Sequence, residues 1–286
     1  MQIKLPKPAC FQKALSAFTL IELLVVIGII AILVVLYLPA RAAGKDRSAA
    51  ITCLANMERL GTAMQMYVHD NNDYLVFPNW DGGEADTSGG PGWLYDNTVP
   101  YTNPNGGCIP DPTMALFRNN PALCYAPMMG GQPRGRGSLL YKYLSNPKYF
   151  FCPIDIQQPT YVWDKRMNML SSYIMNGAPQ GYSFIPPIYR TCKITAVWSQ
   201  RCYVMWEPDE NYLGLGIPGA LVFNDGANYP DPTKGEGIGR LHSNNGGNIL
   251  AVDGHAEFIS VTAYNTLGLS AGKNLLWWSP FNTSGH

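Results

Sequence analysis

The longest apolar run, Phe18 to Leu38, holds 21 residues. At about 1.5 Å of helical rise per residue it reaches about 31 Å, the thickness of a hydrocarbon core of about 30 Å, so the pattern predicts a membrane-spanning helix. Lys4, Lys7 and Lys13 precede it with no acidic residue between them, the basic flank of a membrane-targeting segment. Ala40-Arg41-Ala42 has the small-x-small form of a secretory cleavage site, but the apolar region of a secretory signal runs only about 7 to 15 residues. Glu22 is the one ionisable group in the run. A carboxylate costs on the order of 2.5 to 3.5 kcal/mol at mid-bilayer, so one kept in such a segment is expected to have a partner and a task.

Beyond Pro39 the period changes. Ala50, Leu54, Met57, Gly61, Met64 and Val68 recur at three- and four-residue steps, with Arg47, Asn56, Glu58, Arg59 and Gln65 mostly between them. That spacing predicts an amphipathic helix over 39–70, stopping near His69 because Asp70-Asn71-Asn72-Asp73 is turn chemistry. Residues 79–137 then hold 11 Gly and 8 Pro, too many for long helices or strands, and predict an extended insertion. Trp80, Trp93, Tyr95 and Tyr101 within it give it reason to fold over the head. Strand-like runs follow at Cys202 to Trp206, Ala220 to Phe223 and Asn248 to Val252. Asp253-Gly254 after the last predicts a type I′ hairpin into His255–Val261.

Composition narrows the function. Lys+Arg and Asp+Glu balance at 20 each, so no basic footprint for nucleic acid exists and none is expected as a partner. Seven cysteines in a low-charge, loop-rich chain suggest export. Cys10 lies before the apolar run; the other six allow up to three disulfides, with Cys108–Cys124 and Cys192–Cys202 the local pairings. The absence of C-x-x-C argues against a zinc ribbon or redox motif. His242, Asp253 and His255 could ligate a cation. Asp225, Asp231, Asn244 and Asn248 add hard oxygen donors, making Asp225, Asp231 and Asn244 a weak Ca²⁺ candidate. The reading preferred for His242 and Asp253 is structural, in loop and turn hydrogen bonds, with no cofactor. No EF-hand spacing, H-E-x-x-H, G-x-S-x-G or paired carboxylates occur, and Gly235, Gly237 and Gly239 lack the strand-to-helix context of a phosphate loop. Nothing in the pattern points to an enzyme.

Ala17-Phe18-Thr19-Leu20-Ile21-Glu22-Leu23-Leu24-Val25-Val26 resembles the processing signal of type IV prepilins and type II secretion pseudopilins. The resemblance implies cleavage by prepilin peptidase between Ala17 and Phe18, N-methylation of Phe18, and pairing of Glu22 with the terminal amine of a neighbouring subunit. Ala17 stands where the family usually has Gly. The head resembles planctomycete pseudopilin-like proteins at Cys53, at Cys152-Pro153 in an F-x-C-P-x-D run, and at Tyr173 and Asn176 in an S-Y-x-x-N run. It does so again at His242, Gly246, Gly247, Asp253 and Gly254 in an H-x9-DG-like region, here with ten intervening residues.

The implied fold is α+β and pilin-like: a long N-terminal helix, transmembrane then amphipathic, packed on a small antiparallel sheet. Its parts would be a leader (1–17), an assembly helix (18–38), a stalk (39–70) and a head (71–286) containing the insertion (79–137) and the hairpin region (241–261). Loss of the leader's three lysines would leave 17 basic against 20 acidic residues. The implied function is a filament subunit held in the cytoplasmic membrane with its head outside, partnered by other pilin subunits. The alternative is a non-polymerising, membrane-anchored surface protein that binds ligands through the aromatic, Gly-rich loop.

Overall fold

A computed structural model describes residues 19–80, 92–95, 128–129, 132–133, 138–144, 146–157, 170–182, 191–208, 226–242 and 245–286. The chain divides into two compact units, Met1–Lys45 and Asp46–His286. Helix α1 (Leu20–Asp70) begins in the first and ends in the second. Thr19 starts it with a capping box: its N–H and hydroxyl donate to Glu22 Oε2 at 2.8 and 2.7 Å, and the Glu22 N–H returns a bond to Thr19 Oγ1 at 3.3 Å. In the first unit the large apolar side chains described between Leu20 and Val35 are all exposed, from 43% at Val26 to 79% at Leu20.

The second unit is built on a five-stranded sheet. Its strands are β1 (Ile174–Asn176), β2 (Tyr203–Trp206), β3 (Ala227–Asn228), β4 (Gly246–Ala251) and β5 (Ala256–Ser260), in the spatial order β3-β1-β2-β4-β5. All neighbours pair antiparallel except β1 and β3, which run parallel with Met175 opposite Ala227. A separate two-stranded ribbon joins Met128–Met129 to Gln132–Pro133. Short helices surround the sheet: α2 (Tyr141–Leu144), α3 (Pro153–Gln157) and α4 (Val261–Gly268).

Both faces of the sheet are covered, which is why every residue of β4 is buried rather than alternating with solvent. On one face Met175, Val204, Met205, Leu250 and Val252 share a core with Cys53, Met57, Leu60, Ala63, Met64 and Val68 of α1. On the other Ile174, Trp206, Ile249 and Ile259 pack with Tyr264 of α4 and Leu276. Part of the Gly/Pro-rich insertion joins the first core: Trp93 and Tyr95 are buried, and Trp93 Nε1 donates to the Gly226 carbonyl at 2.8 Å.

The expected pilin-like architecture needs correction. The sheet is mixed, because the chain leaving β2 returns beside β1 and runs in the same direction, and the helices flanking it other than α1 are short. No helix among the described residues is long and apolar enough to cross a membrane. Glu22 interrupts the apolar surface of α1 within its first turn. The hairpin differs in its turn. Gly254 N–H bonds the Ala251 carbonyl at 3.0 Å, and Gly254 alone in the loop has positive φ, at 92°. This is a three-residue loop closed by a left-handed glycine, whereas type I′ would need positive φ at Asp253 too. The Ala220–Phe223 run lies outside the described residues.

Gly254 also brings the hairpin against α1. A Cβ built on Gly61 would lie 2.8 Å from the Gly254 Cα and carbonyl oxygen, so helix and turn touch backbone to backbone. Gly61→Ala should therefore destabilise the head by about 1 to 3 kcal/mol through overpacking, measured by urea unfolding. Beside the second core, Glu236 accepts the Tyr229 N–H at 2.6 Å, and burial pushes its carboxyl up from the ordinary 4.5 to about 7. A folded value above the unfolded one gives a contribution that is complete below pH 4.5 and lost as pH rises through about 7. Glu236→Gln should exceed the parent in stability at pH 8 by on the order of 2 to 3 kcal/mol, with the two converging near pH 4 in paired unfolding curves.

Candidate functional site

Antiparallel pairing sets the start of β1 beside the end of β2, and the end of β2 beside β4. Ile174 pairs with Trp206, and Trp206 with Ile249. One residue further along, Tyr173, Glu207 and Asn248 therefore meet at the same end of the sheet. Alternation settles which way the first two point. Ile174 and Trp206 face the α4 side, so Tyr173 and Glu207 face α1, as Met175 and Met205 do. There α1 presents Cys53, the residue before α3 presents Cys152, and the bridge His242↔Gly246 holds His242 at the entry to β4.

These side chains form one buried cluster. Cys53 Sγ lies 2.5 Å from Glu207 Oε1 and 3.0 Å from Tyr173 Oη. His242 Nε2 lies 3.0 Å from the same Oε1 and 3.5 Å from Cys152 Sγ. The second carboxylate oxygen accepts the Asn248 N–H at 2.7 Å. Cys53, Cys152, Tyr173 and Glu207 are fully buried and His242 is 4% exposed. One ligand atom from each of Cys53, Cys152, Glu207 and His242 falls within 4.8 Å of all the others.

The electrostatics follow from this crowding. Burial holds the Cys53 and Tyr173 protons on, pushing both groups well up. Cys152 goes the other way: the hydrogen bond from Cys53, aided by His242, draws its thiol down despite burial. Burial alone would lower His242, but its hydrogen bonds to Cys152 and Glu207 reverse that and raise it to about 10. The set combines two thiols, an imidazole and a carboxylate, and can share protons or hold a metal. Both thiols are fully buried among the described residues.

Four of the residues singled out in the sequence, Cys53, Cys152, Tyr173 and His242, stand together here. Pro153 opens α3 directly after Cys152, Gly246 and Gly247 begin β4 next to Glu207, and Asn176 lies elsewhere. Its amide donates to the Tyr203 and Leu276 carbonyls at 3.0 and 2.9 Å, tying β1 to the C-terminal segment. Asp253 and His255 sit at the exposed hairpin turn, paired at 2.5 Å, and do not join His242. Asp231 is occupied in capping a 3₁₀ turn through the Thr233 N–H at 2.9 Å; its suggested calcium partners Asp225 and Asn244 lie outside the described residues, as do Ala17 and Phe18. The Cys192–Cys202 disulfide is not formed: Cys53, Cys152, Cys192 and Cys202 are all free and buried, and burial pushes the Cys192 and Cys202 thiols up to about 12. Cys10, Cys108 and Cys124 lie outside the described residues. Glu207 is the residue sequence reasoning missed. Its signal was the acid that directly closes the apolar strand Tyr203-Val204-Met205-Trp206, ahead of Asp209 and Glu210.

No family model matches the chain, and no curated protein or solved structure matches it either. The chemistry of the cluster thus rests on these residues alone. Glu207→Ala removes the acceptor shared by three buried groups, Cys53, His242 and the Asn248 N–H. It should cost about 3 to 5 kcal/mol in urea unfolding with chelator present, whereas Glu257→Ala, at a half-buried position where the carboxylate accepts the Tyr203 hydroxyl at 2.7 Å, should cost about 1 kcal/mol.

Proposed function

We propose that the chain is a structural assembly subunit of the pilin-like kind, joined to its neighbours through the N-terminal part of α1. The observation that carries this reading is the exposed apolar surface from Leu20 to Val35, with Glu22 as its one charged group. An apolar surface around most of a helix is stable only when something covers it. A bundle of like helices from other subunits would cover it and would supply an amine for Glu22.

In this reading prepilin peptidase cleaves between Ala17 and Phe18 and the new terminus at Phe18 is methylated. Subunits are drawn from the cytoplasmic membrane, heads outward, into a periplasmic or surface filament. The terminal amine of one chain then neutralises Glu22 of the next, offsetting the desolvation of both charges. The buried cluster in the second unit, which ties α1 to the sheet among the described residues, fits a scaffold role.

Glu22 also belongs to the capping box with Thr19, so a test must separate charge from capping. Glutamine keeps the box and removes the charge. Glu22→Gln should reduce recovery in sheared or pelleted filaments at least tenfold, with the thermal unfolding of the head unchanged, and mass spectrometry of the parent should find N-methyl-Phe18. Recovery of Glu22→Gln at the parent level, or an intact Met1, overturns the proposal. The first of these with membrane retention would favour a non-polymerising surface binder.

A further inference from the structure

We propose that Cys53, Cys152, His242 and Glu207 form a structural Zn²⁺ site that fastens α1 to the sheet. This stands independently of the assembly reading. Three observations carry it.

The donors are of the right kind and number. Two sulfurs, one imidazole nitrogen and one carboxylate oxygen make a four-ligand set of the type zinc takes, whereas Ca²⁺ and Mg²⁺ require six or more oxygens. The four donor atoms lie close enough together for a small ion to draw them into a tetrahedron. Zinc bonds of about 2.0 to 2.3 Å give ligand-to-ligand edges of about 3.3 to 3.8 Å. The Cys152 Sγ to His242 Nε2 and His242 Nε2 to Glu207 Oε1 edges are 3.5 and 3.0 Å, and every edge is within 4.8 Å. Cys53 Sγ donates to Glu207 Oε1 at 2.5 Å, and replacing the thiol proton by a metal would let that edge open by about 1 Å.

The surroundings already orient the ligands. Asn248 N–H holds Glu207 Oε2, leaving Oε1 to face the cluster, and the Tyr173 hydroxyl lies 3.0 Å from Cys53 Sγ, placed to donate to a thiolate. Such outer partners are characteristic of metal ligands. His242 Nδ1 has no hydrogen-bond partner among the described residues, and with Nε2 on the metal it would carry the ring proton. All four ligand residues are 4% exposed or less, and four protein donors would fill a tetrahedral shell with no position left for water, as in structural zinc sites.

Binding balances as Zn²⁺ plus two thiols giving a zinc dithiolate and two protons released to solvent. A third proton leaves Nε2 wherever His242 is charged. The carboxylate brings the site to a net charge of −1, facing the Tyr173 hydroxyl. The four ligands come from segments as far apart as Cys53 and His242, so the ion would close long loops of chain.

The test uses the purified full chain, reduced, stripped with chelator and titrated with Co²⁺. The expected result is one equivalent bound, with thiolate-to-cobalt charge-transfer and tetrahedral d–d bands that Zn²⁺ abolishes, and with zinc as the metal in untreated protein. Cys152→Ser should roughly halve the charge-transfer intensity, Tyr173→Phe should weaken binding 10- to 100-fold, and Cys192→Ser should change neither. The wild-type and Cys192→Ser titrations decide the matter even if a ligand variant fails to fold. Absence of the bands in folded wild-type protein overturns the site. So do bands that survive in folded Cys53→Ser/Cys152→Ser protein, iron or copper as the native metal, or a Cys53–Cys152 disulfide in protein prepared without reductant.

Discussion

The head depends on how one buried carboxylate is satisfied. Glu207 is fully buried and points at α1 from the end of β2. An unpaired charge there would cost several kcal/mol, more than most single contacts return. The fold answers with a thiol from α1, an imidazole from the entry to β4 and a main-chain N–H from β4 itself. Two segments distant from Glu207 in sequence, α1 and the start of β4 with the residues leading into it, can satisfy the carboxylate only when both are in native register. The carboxylate therefore acts as a check on the assembly of helix and sheet.

That constraint explains neighbouring choices. α1 must come close to the sheet for Cys53 to reach Glu207, and close approach needs glycine at Gly61 against the hairpin turn at Gly254. β4 must pass near Glu207, and Gly247 there leaves the space, since a Cβ would stand 3.2 Å from Oε2. Cys152 is fixed by α3 starting at Pro153, a residue that presets the first helical turn. The first unit answers to a different rule. Its apolar surface is unshared among the described residues, and an arrangement that leaves it in water is costly at about 25 cal/mol per Å².

Some of this was legible in the residues. Met57, Gly61, Met64 and Val68, read from their spacing, are buried, although the stripe is centred on Cys53, Leu60 and Ala63, while Ala50 and Leu54 are only half-buried. Asp253-Gly254 marked a hairpin because few dipeptides turn so readily, yet the turn type depends on φ at Asp253, which dipeptide identity does not fix. Cys53, Cys152, Tyr173 and His242 were each singled out, but as separate motifs. Their meeting comes from strand pairing and from the face α1 presents, neither of which is a local property. Glu207 shows the limit most clearly. An acid after an apolar strand, with Asp209 and Glu210 close behind, looks like a strand end meeting solvent, and only the helix above it makes it a buried centre. The Cys192–Cys202 pairing failed for the related reason that nearness in sequence does not bring two thiols together across a folded loop.

The claim that this cluster is a metal clamp is tested most directly by X-ray absorption at the zinc edge on the purified full chain. The account predicts two sulfur neighbours at about 2.3 Å and two nitrogen or oxygen neighbours at about 2.0 Å. A spectrum with no sulfur neighbours, or with six oxygen and nitrogen neighbours, would contradict it.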